Sequence, residues 1–133
     1  MFSFTQLNLN HCEAAHELLK QRVRETKSDA AVISEPFRRK TSPNWAYSTS
    51  GKATIWACGS PPSQLLSRLA GEHFIRAQVK GIWLYSCYLP PSLCLTDFCK
   101  ALDELTTDGW KGISDRSYVR KQWPCEDISL ESG

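Results

Sequence analysis

The stretch from Phe4 to Pro36, FTQLNLNHCEAAHELLKQRVRETKSDAAVISEP, changes its hydrophobic period twice, and that change decides the fold. From Phe4 to Leu9 the residues alternate, with Thr5, Leu7 and Leu9 on one face and Phe4, Gln6 and Asn8 on the other. A period of two is that of a strand. From Glu13 to Thr26 the period becomes helical. Ala15, Leu18, Leu19 and Val23 form the apolar stripe, and Lys20, Arg22 and Arg24 fall outside it. Asn10, just ahead, is placed to cap that helix. Ala30 to Ile33 is a short apolar run closed by Ser34-Glu35-Pro36. Proline has no N–H to give to a ladder, so the second strand ends there.

This is a strand–helix–strand unit. A helix of about 14 residues spans ~21 Å, enough to recross a strand of ordinary length. The two strands are therefore expected to be parallel, with a right-handed crossover. Asn8 and Glu35 then share the carboxyl edge of the sheet, where open α/β sheets bind ligands. A carboxylate beside amides at such an edge is a start for a magnesium site.

Downstream, Arg38-Arg39-Lys40-Thr41-Ser42-Pro43-Asn44 reads as a loop. Trp45 to Tyr47 and Ala53 to Cys58 read as a hairpin around Ser48-Thr49-Ser50-Gly51. His73 to Val79 and Ile82 to Leu89 flank Lys80-Gly81 as a second hairpin, with Tyr88 at the end of its last strand. Phe98, Ala101, Leu102 and Leu105 stand at helical spacing, with Thr96 or Asp97 as the cap. The topology then requires another strand. From Thr106 to Gly133 there is no run of four apolar residues and no alternation, so the tail reads as irregular.

The length of 133 residues fits one domain, and 41% hydrophobic residues is ordinary for a globular chain. A net charge of +2 is too small to argue for nucleic acid by itself. No apolar run approaches the ~20 residues of a membrane span, and the first residues lack the pattern of a signal peptide. The six cysteines, at positions 12, 58, 87, 94, 99 and 125, form no Cys-x-x-Cys pair, so zinc is not indicated and reduced intracellular thiols are expected.

Gln6-Leu7-Asn8-Leu9-Asn10-His11-Cys12, Ile33-Ser34-Glu35-Pro36-Phe37 and Tyr85-Ser86-Cys87-Tyr88-Leu89-Pro90-Pro91 resemble the first three signature segments of the exonuclease–endonuclease–phosphatase superfamily. They are most similar to the apurinic-type endonuclease domain of non-long-terminal-repeat retrotransposon polyproteins, in which a reverse transcriptase lies downstream. Gly51-Lys52-Ala53-Thr54-Ile55-Trp56 fits the same group. The resemblance covers roughly residues 4–109 and leaves 110–133 as a divergent polar tail. It implies an α/β fold, part of a four-layer α/β sandwich without its C-terminal elements. It implies Mg2+-dependent hydrolysis of DNA and, from the need to reach chromosomal DNA, a nuclear location. It makes Glu35 the metal ligand. Asn8 becomes the amide that orients a phosphate or catalytic partner, Tyr88 the hydroxyl on the scissile phosphate, and Asn10 a supporting residue.

Read singly, each of these residues has a plainer role. Asn8 and Asn10 fit helix caps, Glu35 a solvated loop carboxylate, and Tyr88 a strand aromatic. His11 and His16 read as surface or cap residues. Arg38, Arg39 and Lys40 fit a phosphate-backbone contact and equally a solvated charge run. The family's later motifs, Gly-Asp-Phe-Asn and Ser-Asp-His, do not occur. Ser114-Asp115-Arg116 stands too early and carries arginine in place of histidine. No base to activate water is evident without them. The expectation is a catalytically incomplete endonuclease fragment. The alternatives are a non-catalytic nucleic-acid-binding or interaction module and a remnant without function. The sequence does not give an oligomeric state.

Overall fold

The computed structural model describes residues 2–88, 90, 92, 94–97, 99–100 and 103, together with the backbone of residues 117–123 and 126–132. β1 (Phe4–Asn8), α1 (Glu13–Thr26) and β2 (Ala30–Ser34) form the expected unit. β1 and β2 are parallel, with Asn8 level with Ser34. The helix closes on Lys27, which is left-handed at φ 54 and donates its N–H to the Val23 carbonyl.

The start of α1 corrects one expectation. The N-cap is Cys12, extended and without a side-chain capping bond, rather than Asn10. Asn10 and His11 are both left-handed, at φ 49 and 56. The Cys12 N–H donates to the Leu9 carbonyl at 2.8 Å across them. Two positive φ values are the pattern of a type I′ turn, and asparagine tolerates that region better than most residues. The turn takes Asn10 away from the capping position.

β3 (Trp45–Tyr47) and β4 (Ala53–Trp56) complete a four-stranded sheet in the order β1-β2-β4-β3. β5 (Leu66–Ala70), β6 (Phe74–Val79), β7 (Ile82–Tyr88), β8 (Ser117–Trp123) and β9 (Glu126–Ser132) form the second sheet in chain order. Lys80 and Gly81 turn β6 into β7 with positive φ at both positions. Two apolar clusters separate three layers. Ala30, Ile55, Ile75, Val79 and Leu84 fill the space between the sheets. Leu19, Val23, Ala31, Ile33 and Trp45 fill the space between the first sheet and α1. β2 is buried along its whole length, with Ala30 in one cluster and Ala31 and Ile33 in the other. Its continuous apolar run follows from being covered on both faces.

The tail is a second correction. Residues 117–123 and 126–132 are a strand pair, not irregular chain. β8 runs parallel to β7, with Tyr88 level with Gln122, and β9 folds back on β8. Without β8, the second edge of β7 would present a row of unpaired backbone groups, and every buried N–H and C=O needs a partner. That demand is met by backbone and needs no apolar alternation. β5 likewise gave no sequence signal: all five of its residues are exposed and its register slips between Leu66 and Leu69. Helical backbone at 95–97 places Thr96 and Asp97 inside the second helix, so neither caps it. The stripe residues Phe98, Ala101, Leu102 and Leu105 lie outside the described residues. Among the described residues no helix is long and apolar enough to cross a membrane. Among the described residues no cysteine is in a disulfide, and burial pushes the Cys58 thiol up to about 12.

Candidate active site

The carboxyl ends of β1, β2 and β7 bring together three of the residues singled out by sequence. Asn8 ends β1, Glu35 follows β2, and Tyr88 ends β7. Glu35 is held by its backbone on both sides. Its N–H donates to the Lys52 carbonyl at 2.9 Å, and its own carbonyl accepts the His11 N–H at 2.9 Å. These bonds keep it at φ 49, a conformation that is costly for a residue with a Cβ. Such an outlier persists only where the surroundings over-determine it, as functional sites do.

The Glu35 side chain is 15% exposed and lies beside the Tyr88 hydroxyl, close enough to act on it electrostatically. Burial first, then the neighbouring Glu35 carboxylate, push the Tyr88 phenol up to about 12. Each disfavours a phenolate: burial strips its water, and the carboxylate repels it. Tyr88 is fixed by its own N–H, which donates to the His73 carbonyl at 2.9 Å. Asn8 is exposed, and its Oδ1 accepts the Asn10 N–H at 2.8 Å. Asn10 thus supports Asn8 through its backbone.

A buried hydroxyl fixes the two sheets together just behind this edge. Ser86, 1% exposed, donates to the Ile33 carbonyl at 3.3 Å and accepts the Thr54 N–H at 3.1 Å. Ser86 stands two residues before Tyr88, and Ile33 two before Glu35. The clamp therefore sets the relative height of the Glu35 and Tyr88 side chains.

Glu35 offers the hard oxygen that magnesium prefers. A magnesium ion completed by water fits a single carboxylate of this kind. Among the described residues no three His, Cys, Asp or Glu side chains cluster into a fuller metal site. Arg38 lies over the Phe37 ring at 5.0 Å and Arg39 over the Tyr47 ring at 4.9 Å. The Lys40 N–H donates to the Tyr47 hydroxyl at 2.5 Å.

The sequence matches no family model and no curated protein. Comparison with solved structures is decisive. The endonuclease domain of TRAS1, a telomere-specific non-LTR retrotransposon, superposes with a TM-score of 0.67 over 91% of this chain at 17% identity. An AP endonuclease from Archaeoglobus fulgidus gives 0.65 over 91% at 16% identity. The 3′ phosphatase NExo from Neisseria, bound to a product DNA hairpin, gives 0.66 over 91% at 13% identity.

The chain has the exonuclease–endonuclease–phosphatase fold.

It spans only 56–58% of the length of those three solved chains. β8 ends on Gln122-Trp123, and the Gly-Asp-Phe-Asn segment that the resemblance leads one to expect does not occur in the sequence. Two residues at the edge escaped the sequence reading. His11 is one: its Nδ1 lies 3.1 Å from the Pro36 carbonyl, and its Nε2 lies 3.6 Å from Glu35 Oε2. Ser86 is the other. His11 lies directly after the Asn-x-Asn pattern, which was its only signal; nothing in the sequence marks a strand serine as an inter-sheet clamp.

Proposed function

We propose that this chain is part of a magnesium-dependent DNA endonuclease domain of the non-LTR retrotransposon kind. Residues 1–109 form its N-terminal portion and 110–133 a divergent tail, and alone it is catalytically incomplete. The observation that carries this reading is that Asn8, Glu35 and Tyr88, far apart in sequence, meet at one sheet edge at the ends of β1, β2 and β7. Glu35 would hold Mg2+, which when bound supplies positive charge to a phosphate and its leaving oxygen. Asn8 is exposed beside it to orient a phosphate, and the Tyr88 O–H is a donor for the same group. No residue in hand serves as the base, because β8 brings no Asp–Asn motif to the edge. DNA is the partner and the nucleus the place of action in this reading.

Supercoiled plasmid incubated with the purified chain and Mg2+ is expected to stay supercoiled. Nicking that disappears in Glu35→Ala would overturn the incompleteness. The second reading is a non-catalytic nucleic-acid-binding module, and the exposed cations Arg39 and Lys40 favour it. It requires DNA binding that is indifferent both to Mg2+ and to Glu35→Ala.

A further inference from the structure

We propose a second anion site, separate from the Glu35 edge, that holds a backbone phosphate of a DNA strand. It is a cavity of about 530 Å3 beside the edge strand β3, between the loop after Pro36 and the start of the second sheet. Arg39, Lys40 and Arg68 line it, and among the described residues no carboxylate does. All three are exposed, and none has an acidic partner among the described residues.

These cations are positioned in advance. The Arg68 guanidinium donates to three carbonyls: those of Leu65 at 3.3 Å, Trp45 at 3.3 Å, and Pro43. Carbonyls fix the fork without neutralising it, and the second hydrogen on each terminal nitrogen remains to be given. Arg39 rests on the Tyr47 ring, and the Lys40 backbone is tied to the Tyr47 hydroxyl, so the loop and its charges are anchored on one aromatic. Burial pushes the Tyr47 phenol up, which keeps it neutral beneath the arginine. Fixed guanidinium groups suit phosphate oxygens because little ordering remains to be done on binding.

The strand register says which phosphate. Tyr47 is level with Thr54, and Thr54 with Ile33, two residues before Glu35. Two strand spacings place Tyr47 about 10 Å from β2 along the same sheet edge. Successive phosphates of one strand follow a helical path and stand farther apart than the ~3.4 Å axial rise, so this separation corresponds to about one or two phosphates along the strand. A strand whose phosphate lies at Glu35 and Tyr88 would lay another over Arg39, Lys40 and Arg68. The choice of DNA rests on the proposed function; the phosphate chemistry of the pocket does not.

The test is binding of a fluorescein-labelled 20-base-pair duplex to the full chain in EDTA, across a salt series. EDTA removes any dependence on metal, so failure of the magnesium reading leaves this result untouched. Arg39→Gln/Lys40→Gln should weaken binding about tenfold at low salt and flatten the slope of log affinity against log salt by roughly two. The control, Lys20→Gln/Arg22→Gln on the outer face of α1, removes the same charge and should change neither by as much. Equal losses in the two variants, or no loss in the first, would overturn the site. So would displacement of the duplex by polyglutamate as readily as by unlabelled DNA. Unchanged thermal unfolding of the first variant shows that the fold survives.

Discussion

β2 and β8 occupy equivalent places: each lies parallel to the preceding strand of its sheet, after a helical segment. They differ in what they deliver. β2 ends in Ser34-Glu35, and the chain there is pinned by Lys52 and His11 until a glutamate sits in a left-handed conformation under a tyrosine hydroxyl. β8 supplies the ladder beside β7 and ends in Gln122-Trp123, without the polar motif that the resemblance requires. Completing a sheet is a backbone matter that many sequences satisfy. Completing a site needs particular side chains at one register position. A ladder can therefore be completed by a strand that carries no such motif.

The comparison breaks first at β2. Ile33→Ala truncates a fully buried side chain packed between the first sheet and α1. It should cost about 2–5 kcal/mol in urea unfolding. Leu69→Ala, on outer strand β5 and 40% exposed, should cost less than about 1 kcal/mol. Similar losses at both positions would mean that the strand carrying the site is no better anchored than the sheet's rim.

The clamp comes next. Ser86→Ala leaves the buried Thr54 N–H without its acceptor, for about 1–3 kcal/mol. It should also let the Tyr88 phenol titrate lower, because β7 is released from β2. An unfolding midpoint equal to that of the parent chain would remove Ser86 from the account.

A smaller effect concerns His16, 5% exposed, with neither ring nitrogen bonded among the described residues. It packs against Trp45 and Phe37. Burial first, then Lys40 and Lys20, lower its pKa below the ordinary 6.5. The unfolded chain takes up a proton near 6.5 and the native chain only at lower pH, so this site's contribution to stability falls as pH drops below about 6.5. His16→Leu should remove that part of the loss, read as a smaller change in urea midpoint between pH 7.5 and pH 5. An unchanged pH dependence in the variant would contradict it.

Legibility in the sequence follows the same division. α1 shows its full span because Leu19 and Val23 of its apolar stripe are buried, although Leu18 of the same stripe is 53% exposed, and β1, β2 and both hairpins show because at least one face is covered. β5 and the β8–β9 pair were invisible: β5 is exposed throughout, and β8 and β9 are placed by their ladders rather than by an apolar pattern. At the site, the order of Asn8, Glu35 and Tyr88 along the chain was readable through resemblance. The left-handed turn at Asn10 and His11, the Lys52 bond and the Ser86 clamp were not, because they arise from contacts between segments that no local period encodes.

The central claim is that Glu35 and Tyr88 form one unit across the two sheets. A double-mutant cycle of Glu35→Gln and Tyr88→Phe, read by urea unfolding, isolates their interaction. A phenol hydroxyl held beside a charged carboxylate, on partners 15% and 9% exposed, predicts a coupling of about 1–3 kcal/mol. Strictly additive losses, with no coupling beyond experimental error, would contradict it.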